Sequence, residues 1–301
     1  MNKNFLNWAI FITLSVIWGS SFILIKIGLD NHLNAYQVAA LRIVSAGIIL
    51  LPVSIRSIRF IPRKKLLLVF LSGALGSLFP SFLFCIAEEG IDSSLAGILN
   101  CLTPIFVIIT GALFFKVRPS PNKITGIIIA FAGSCMLLLT KGQMQESQHL
   151  IYVSLVILAT ISYGFNVNMV SANLLDIGSL HIASVAITLN AIPALIVLML
   201  TGYFNLPLQN HDLLVATSAA AALGIGGTAL ATIIFYVLVK RAGGLFASMV
   251  TYCIPVVAIG WGIVFDEVFG VKQAGCILVI LYGVYWANKK AAGIKYRTNK
   301  T

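Results

Sequence analysis

The sequence predicts an all-α polytopic membrane protein whose ten transmembrane helices form two inverted five-helix repeats. Three observations carry that expectation. The 301 residues are 59% hydrophobic and only 10% charged, with a mean hydropathy of +1.00. That is more apolar side chain than a soluble domain of this size buries, and what a lipid-facing surface requires. The apolar residues gather into ten runs near the ~20 residues needed to cross a hydrocarbon core of about 30 Å. The second half also repeats the first. With Pro104 set on Pro255, an offset of 151 residues carries Gly73 onto Gly224, Gly76 onto Gly227, Phe84 onto Phe235, Ala96 onto Ala247 and Gly111 onto Gly262. Each half holds five runs, an odd number, so the second copy enters the bilayer from the opposite side. Inverted repeats of this kind underlie many secondary transporters, because mirror-related halves give two states of similar energy that open to opposite sides.

The expected spans are 8–29, 36–55, 66–87, 93–115, 122–140, 150–171, 180–203, 212–239, 245–265 and 271–288. The first follows Lys3 but is too long for a signal-peptide core and lacks a small-residue cleavage site, so it is retained as a helix. The fourth and ninth carry Pro104 and Pro255 mid-span. The fifth ends at 141–149 (Lys-Gly-Gln-Met-Gln-Glu-Ser-Gln-His), the only polar run between the halves. This divides the chain into a first repeat, 5–141, and a second, 149–290. The first helices of the two repeats match at a shifted offset of 145, with Trp18-Gly19 falling on Tyr163-Gly164. The eighth span holds a small-residue run from Thr217 to Thr232 that suits close helix approach. Its Gly224-Ile-Gly226-Gly227-Thr-Ala229 fits a dinucleotide-loop pattern, but no strand or βαβ unit surrounds it. The tenth span runs into a short basic tail.

The net charge of +11 resembles a nucleic-acid signal until it is mapped. With the N-terminus in the cytoplasm, sixteen of the 20 Lys and Arg fall on the cytoplasmic side, in clusters such as Arg56–Lys65, Lys116–Lys123, Lys240–Arg241 and Lys289–Lys300. Only Lys141 and Lys272 fall outside, and every acid except Asp176 lies at the outer side. The positive-inside bias therefore predicts a multi-pass protein of the cytoplasmic membrane with both termini cytoplasmic. The expected partners are a small-molecule substrate and the bilayer, with no nucleic acid. The five cysteines all sit in apolar spans without a CxxC pair, and read as packing residues rather than a disulfide framework or zinc site.

Trp18-Gly19-Ser20-Ser21-Phe22, followed by Lys26, Gly28 and Leu41-Arg42, resembles the opening of each repeat in EamA-like carriers of the drug/metabolite transporter superfamily. Ala96…Leu102-Thr103-Pro104 and Ala247…Ile254-Pro255 resemble that family's fourth and ninth helices, and Glu267 with Gly275 the opening of its last. The sequence departs from the pattern at Lys116, where the first repeat usually carries an acid. Lys26 and Arg42 also have no counterparts in the second repeat, where Ser171 and Ile187 stand. The resemblance implies a ten-helix bundle with a central cavity lined by helices 1, 3, 4, 6, 8 and 9. Helices 5 and 10 are expected at the periphery, available for a homodimer contact. It further implies a carrier of amino acids, sugars, nucleotide-linked sugars, drugs or other small metabolites, with export of amino acids and related compounds frequent among bacterial members.

The residues themselves point to a site between the two prolines near the bilayer midplane. Proline removes a backbone donor, so Pro104 and Pro255 are expected to kink their helices and leave the carbonyls of Asn100 and Thr251 without their usual partners. Such groups persist in a bilayer only where protein, water or a ligand satisfies them. Asn100 is an amide in an otherwise apolar helix and is expected to face inward, reading a substrate group or joining helices. Thr251 and Tyr252 would approach from helix 9, Trp18 and Ser21 from helix 1, and Tyr163 and Asn166 from helix 6. An uncharged cavity walled by rings would suit a neutral or zwitterionic metabolite with an apolar part. Lys26 and Arg42, the only basic residues within helices, lie toward the outer ends of their spans. There they would either snorkel to the interface or draw an anionic group into an outer vestibule. No Asp or Glu lies deep in a span, which argues against proton coupling through a buried acid.

No metal-ligand cluster or cofactor motif occurs, so no metal or cofactor is expected, and a membrane-embedded enzyme would need intramembrane acids, histidines or a metal motif, of which only His181, near a helix end, is present. A channel is the third alternative, and kinked, duplicated helices suit alternating access better than a fixed pore. The sequence thus favours a secondary carrier of amino acids or related compounds, with drugs, sugars or nucleosides as alternative cargo.

Overall fold

The computed structural model describes residues 3–140, 149–257 and 270–288. Glu267, the end of the ninth expected span and the basic tail lie outside these residues, as does most of the 141–149 run. Among the described residues there are ten apolar helices and no strands. We number them α1 (Lys3–Asp30), α2 (Ala35–Ser57), α3 (66–87), α4 (93–114), α5 (Pro121–Thr140), α6 (His149–Asn173), α7 (Ser179–Leu200), α8 (211–242), α9 (Gly244–Val257) and α10 (Val271–Asn288). Seven are long and apolar enough to cross a membrane, and α5, α9 and α10 are shorter apolar helices. The chain is an all-helical, multi-pass membrane protein.

The helices pair in a pattern that survives exchange of the halves. The two most extensive pairings, α2 with α7 and α5 with α10, each join a helix to its own counterpart. The packing of α1 on α8 is mirrored by α6 on α3, and that of α1 on α9 by α6 on α4. The α5–α10 seam runs through small residues, Gly126 and Ala130 meeting Gly283 and Ala287, which permits the close approach that drives helix association in lipid.

Departures from α-geometry recur at matching places. A π-helical stretch interrupts α3 at Ala74–Leu78 and α8 at Leu223–Leu230. A 3₁₀ turn interrupts α4 at Asn100–Leu102 and α9 at Met249–Cys253. The offset of 151 carries each first-half stretch into its second-half counterpart. The 3₁₀ turns have a local cause. A proline ring crowds the carbonyl four residues back and offers it no donor. Tightening the turn hands the Asn100 carbonyl to the Thr103 N–H, and the Thr251 carbonyl to the Ile254 N–H. The Cys101 thiol also donates to the Thr251 carbonyl at 3.4 Å. The expectation that these two carbonyls stand free is therefore corrected: the backbone re-pairs them before any ligand is involved. Pro104 and Pro255 then occupy the first turn of the next α-segment, where a missing N–H costs nothing.

Each end of the bundle is tied by loop contacts. At one, the Lys65 ammonium donates to Asp176 at 2.7 Å and to the Asn173 carbonyl at 2.8 Å, joining the α2–α3 and α6–α7 connections. At the other, Asn34 and Gln37 cap α2 reciprocally, and the Gln37 amide donates to the Thr201 carbonyl at 3.1 Å.

A central cavity with symmetric walls

Seven helices converge on a central cavity lined by rings and a few small polar groups, the composition of a small-molecule site. Its wall is built from Trp18, Ser21, Phe22 and Ile25 of α1, Arg42 of α2, Gly76, Ser77 and Phe84 of α3, and Asn100 and Thr103 of α4. Tyr163, Asn166 and Val167 of α6, Gly227, Thr228, Thr232, Phe235 and Tyr236 of α8, and Ser248, Thr251 and Ile254 of α9 complete it. Both π-stretches and both 3₁₀ turns lie on this wall. A wider or tighter turn changes which side chains face inward and so reshapes the lining locally.

Sixteen of these 21 residues are partners under the internal repeat. At offset 151 the pairs are Gly76 and Gly227, Ser77 and Thr228, Phe84 and Phe235, Asn100 and Thr251, and Thr103 and Ile254. At offset 145 they are Trp18 and Tyr163, Ser21 and Asn166, and Phe22 and Val167. Ile25, Arg42, Thr232, Tyr236 and Ser248 have no lining partner, and among the described residues Arg42 is the only charged one on the wall.

Of the residues singled out in the sequence, Trp18, Ser21, Asn100, Tyr163, Asn166 and Thr251 meet on this wall. Tyr252 does not: it is fully buried, and its hydroxyl donates to the Ile127 carbonyl at 3.1 Å, fastening α9 to α5. Pro104 and Pro255 are buried behind the wall. Lys26 is exposed and off the wall, whereas Arg42, expected in an outer vestibule, reaches the central cavity itself. The helix set predicted to line the cavity is all present, and α2 joins it through Arg42 alone. Ser77, Thr103, Thr228, Thr232 and Ser248 also reach the wall and were not singled out in the sequence; the repeat pairs Ser77 with Thr228, but neither carries a signal of its own.

Hydrogen bonds decide which polar groups remain available to a ligand. The Trp18 indole N–H donates to the Gly227 carbonyl at 3.0 Å, so this ring offers the cavity its face. Trp18 also packs on Phe235, with centroids 5.2 Å apart, and Phe84 stacks on Tyr163 at 6.2 Å. Asn166 accepts from the Tyr236 hydroxyl at 3.3 Å, and its amide rests on Gly76, where any Cβ would collide with it. Asn168, two residues on, donates to the Val107 carbonyl, the Thr110 hydroxyl and the Gly164 carbonyl at 2.8–2.9 Å and serves to join α4 and α6. The Asn100 side-chain oxygen accepts from the Thr103 hydroxyl at 3.0 Å, and among the described residues its amide nitrogen has no hydrogen-bond partner, on a residue that lines the cavity. Arg42 is 9% exposed, and its Nε donates to the Thr228 hydroxyl at 2.7 Å.

One acid behaves unlike the rest. Glu88 closes α3 at its C-terminal end. Its Oε2 accepts from the Ser93 hydroxyl at 2.5 Å, while its Oε1 is sealed from solvent without a hydrogen-bond partner. Burial pushes this carboxyl up to about 8, against the opposing pull of Ser93, Arg42 and Lys26. Its neighbour Glu89 is exposed and accepts from the Ala35 backbone N–H at 3.0 Å, helping to cap α2.

A duplicated helical bundle around a small amphipathic cavity defines the class of membrane carriers. The sequence pattern of the EamA-like transporter family matches residues 6–139 and again 150–289. The chain belongs to that family. It is 27% identical over 289 residues to an uncharacterized transporter of Archaeoglobus fulgidus, covering 94% of this chain and 99% of that protein. It is 30% identical over 128 residues to a probable amino-acid metabolite efflux pump of Salmonella typhimurium, covering 41% of this chain and 40% of the pump. A protein crystal structure superposes with a TM-score of 0.72 over 94% of this chain and 96% of that one, at 16% identity, a likeness of fold.

Proposed function

We propose that this chain is a secondary carrier that exports amino acids or related small metabolites by alternating access about the central cavity. The observation that carries this is the pairing of the lining: a wall built twice from equivalent residues can open to either side at similar energy. Rings supply apolar surface, and Asn100, Ser77, Thr228 and Thr251 supply a few orienting polar groups, the composition expected around a small amphipathic ligand. The efflux pump of Salmonella typhimurium supports amino-acid cargo and outward movement. The deciding experiment is counterflow in proteoliposomes loaded with mixed amino acids. Saturable exchange accelerated from the opposite side is expected, whereas linear, non-exchanging flux would indicate a pore.

The orientation follows from the basic clusters, with both termini in the cytoplasm and the α3–α4 connection outside. A single cysteine at position 89 in a cysteine-free background should react with an impermeant maleimide on intact cells. Reaction only after permeabilisation would invert the topology.

Asn100 gives a local test of the site. Asn100→Leu is expected to weaken substrate binding about tenfold, since an orienting hydrogen bond to a desolvated ligand is worth roughly 1–1.5 kcal/mol. Stability should change by less than about 1 kcal/mol, because the Thr103 hydroxyl is free to turn to a carbonyl of the preceding helical turn. Melting and affinity measured on one preparation check both halves. A lower melting temperature with unchanged affinity would make Asn100 a structural joint.

A further inference from the structure

Arg42 is where the cavity breaks its own symmetry. Its counterpart in the second half is Ile187, a core residue with no exposure, so the guanidinium makes one side of an otherwise duplicated site chemically distinct. The group is more than nine-tenths buried and sits on the cavity wall. Among the described residues its only hydrogen bond is from Nε to the Thr228 hydroxyl, a neutral acceptor, and no carboxylate approaches within ion-pair distance. A buried cation without a counter-ion is costly, and removing it from water is repaid only by an anion of good geometry. Glu88 lies close enough to feel Arg42, but burial raises its carboxyl and disfavours the ionised form, and among the described residues no ion pair joins it to the guanidinium. With Nε engaged by Thr228, the outer edge of the guanidinium, its two Nη groups, remains for a ligand. That planar pair of donors matches a carboxylate bidentately. Among the described residues no Asp or Glu stands on the wall to receive a cation.

We propose that Arg42 binds the carboxylate of the transported molecule, with Thr228 holding the guanidinium in place, so that the cargo is a carboxylate-bearing amphiphile. This rests on the carrier function proposed above and narrows it. Zwitterionic amino acids qualify and cationic amphiphiles do not. Because the wall offers no acid for the ammonium group, the carboxylate alone should suffice for recognition.

The test compares L-phenylalanine, 3-phenylpropionate, L-phenylalaninamide and 2-phenylethylamine as thermal stabilisers and counterflow substrates of the full chain, with the remaining standard amino acids run in parallel. Compounds bearing a carboxylate should stabilise and exchange; the amide and the amine should do neither. Arg42→Gln should weaken carboxylate binding by roughly 30-fold or more, as expected when one member of a buried charged pair is truncated. Arg42→Lys, which keeps the charge but loses the fork, should fall between. Equal response to all four aromatic probes, or carboxylate affinity retained in Arg42→Gln, overturns the proposal. Should Arg42→Gln fail to fold, the ligand series on the native protein and the Arg42→Lys variant still decide it. Exchange of nucleosides or sugars with no response to any carboxylate overturns the carboxylate assignment while leaving a carrier. Absence of saturable exchange for every probe overturns both.

Discussion

Replacing Gly224 by leucine is expected to destabilise the protein by about 3 kcal/mol or more and to abolish transport. The π-stretch of α8 passes so close to α2 that a Cβ at position 224 meets the Ser45 hydroxyl and the carbonyl oxygen of Arg42. Ser45 is held in its turn, donating to the Leu41 carbonyl at 2.7 Å. A backbone atom cannot turn aside as a side chain can, so relief requires α2 and α8 to part. Overpacking of a close-packed interior typically costs 1–3 kcal/mol, and more where the obstacle is rigid. The displacement would also separate Arg42 from Thr228, one turn further along α8, and so disturb the charged side of the cavity. Gly226 is the internal control, because a Cβ there meets nothing within 4 Å, and Gly226→Ala should leave melting and counterflow unchanged. A Gly224→Leu protein that melts with the native chain would mean that this contact is not tight in the membrane.

The same glycines show what could be read in advance. Gly73 and Gly224 stand at equivalent positions and serve equivalent contacts: a Cβ at 73 would strike the Asn190 amide and the Ala186 carbonyl of α7, the counterpart of α2. The recurrence was visible in the sequence because close helix approach demands a residue type. The change to π-geometry was not visible, because a shift of hydrogen-bond register by one residue leaves no mark on composition. The prolines were legible as interruptions, but the expectation of free carbonyls assumed α-geometry up to the ring; the 3₁₀ turn removes that premise. Tyr252 was misplaced with its neighbour Thr251, since consecutive helical residues do not share a face and Tyr252 turns instead to Ile127. Arg42 was read from its distance to the helix start. It lies seven residues into α2, about 10 Å at 1.5 Å per residue, and the length of its side chain does the rest. Its direction depends on Thr228, some 186 positions away in sequence, which no local pattern encodes.

A position at the end of a span does not reveal the burial of the Glu88 carboxyl, whose Oε2 accepts from the Ser93 hydroxyl of α4 and whose Oε1 is sealed from solvent. Its titration should dominate the pH dependence of stability. Burial raises the folded-state value to about 8, whereas the unfolded chain has the ordinary carboxyl value near 4.5. Between these limits the folded protein holds a proton that the unfolded chain has released. Stability therefore falls as pH rises from about 4.5 to about 8 and levels off above that. Each unit of difference corresponds to ~1.4 kcal/mol, so the loss across the window is on the order of 3 kcal/mol once relaxation around the ionised group is allowed for. Glu88→Gln keeps the shape and the Ser93 hydrogen bond without the charge. It should match the native chain below pH 5 and melt well above it at pH 8 to 9. Every other group acts equally on both proteins, so the difference between the two melting curves isolates this carboxyl. Ser93→Ala should extend the falling range upward, because the hydroxyl donates to the ionised form and its removal raises the carboxyl further. Parallel melting curves for the native chain and Glu88→Gln from pH 5 to 9 would show that Glu88 is solvated in the membrane and ionised throughout.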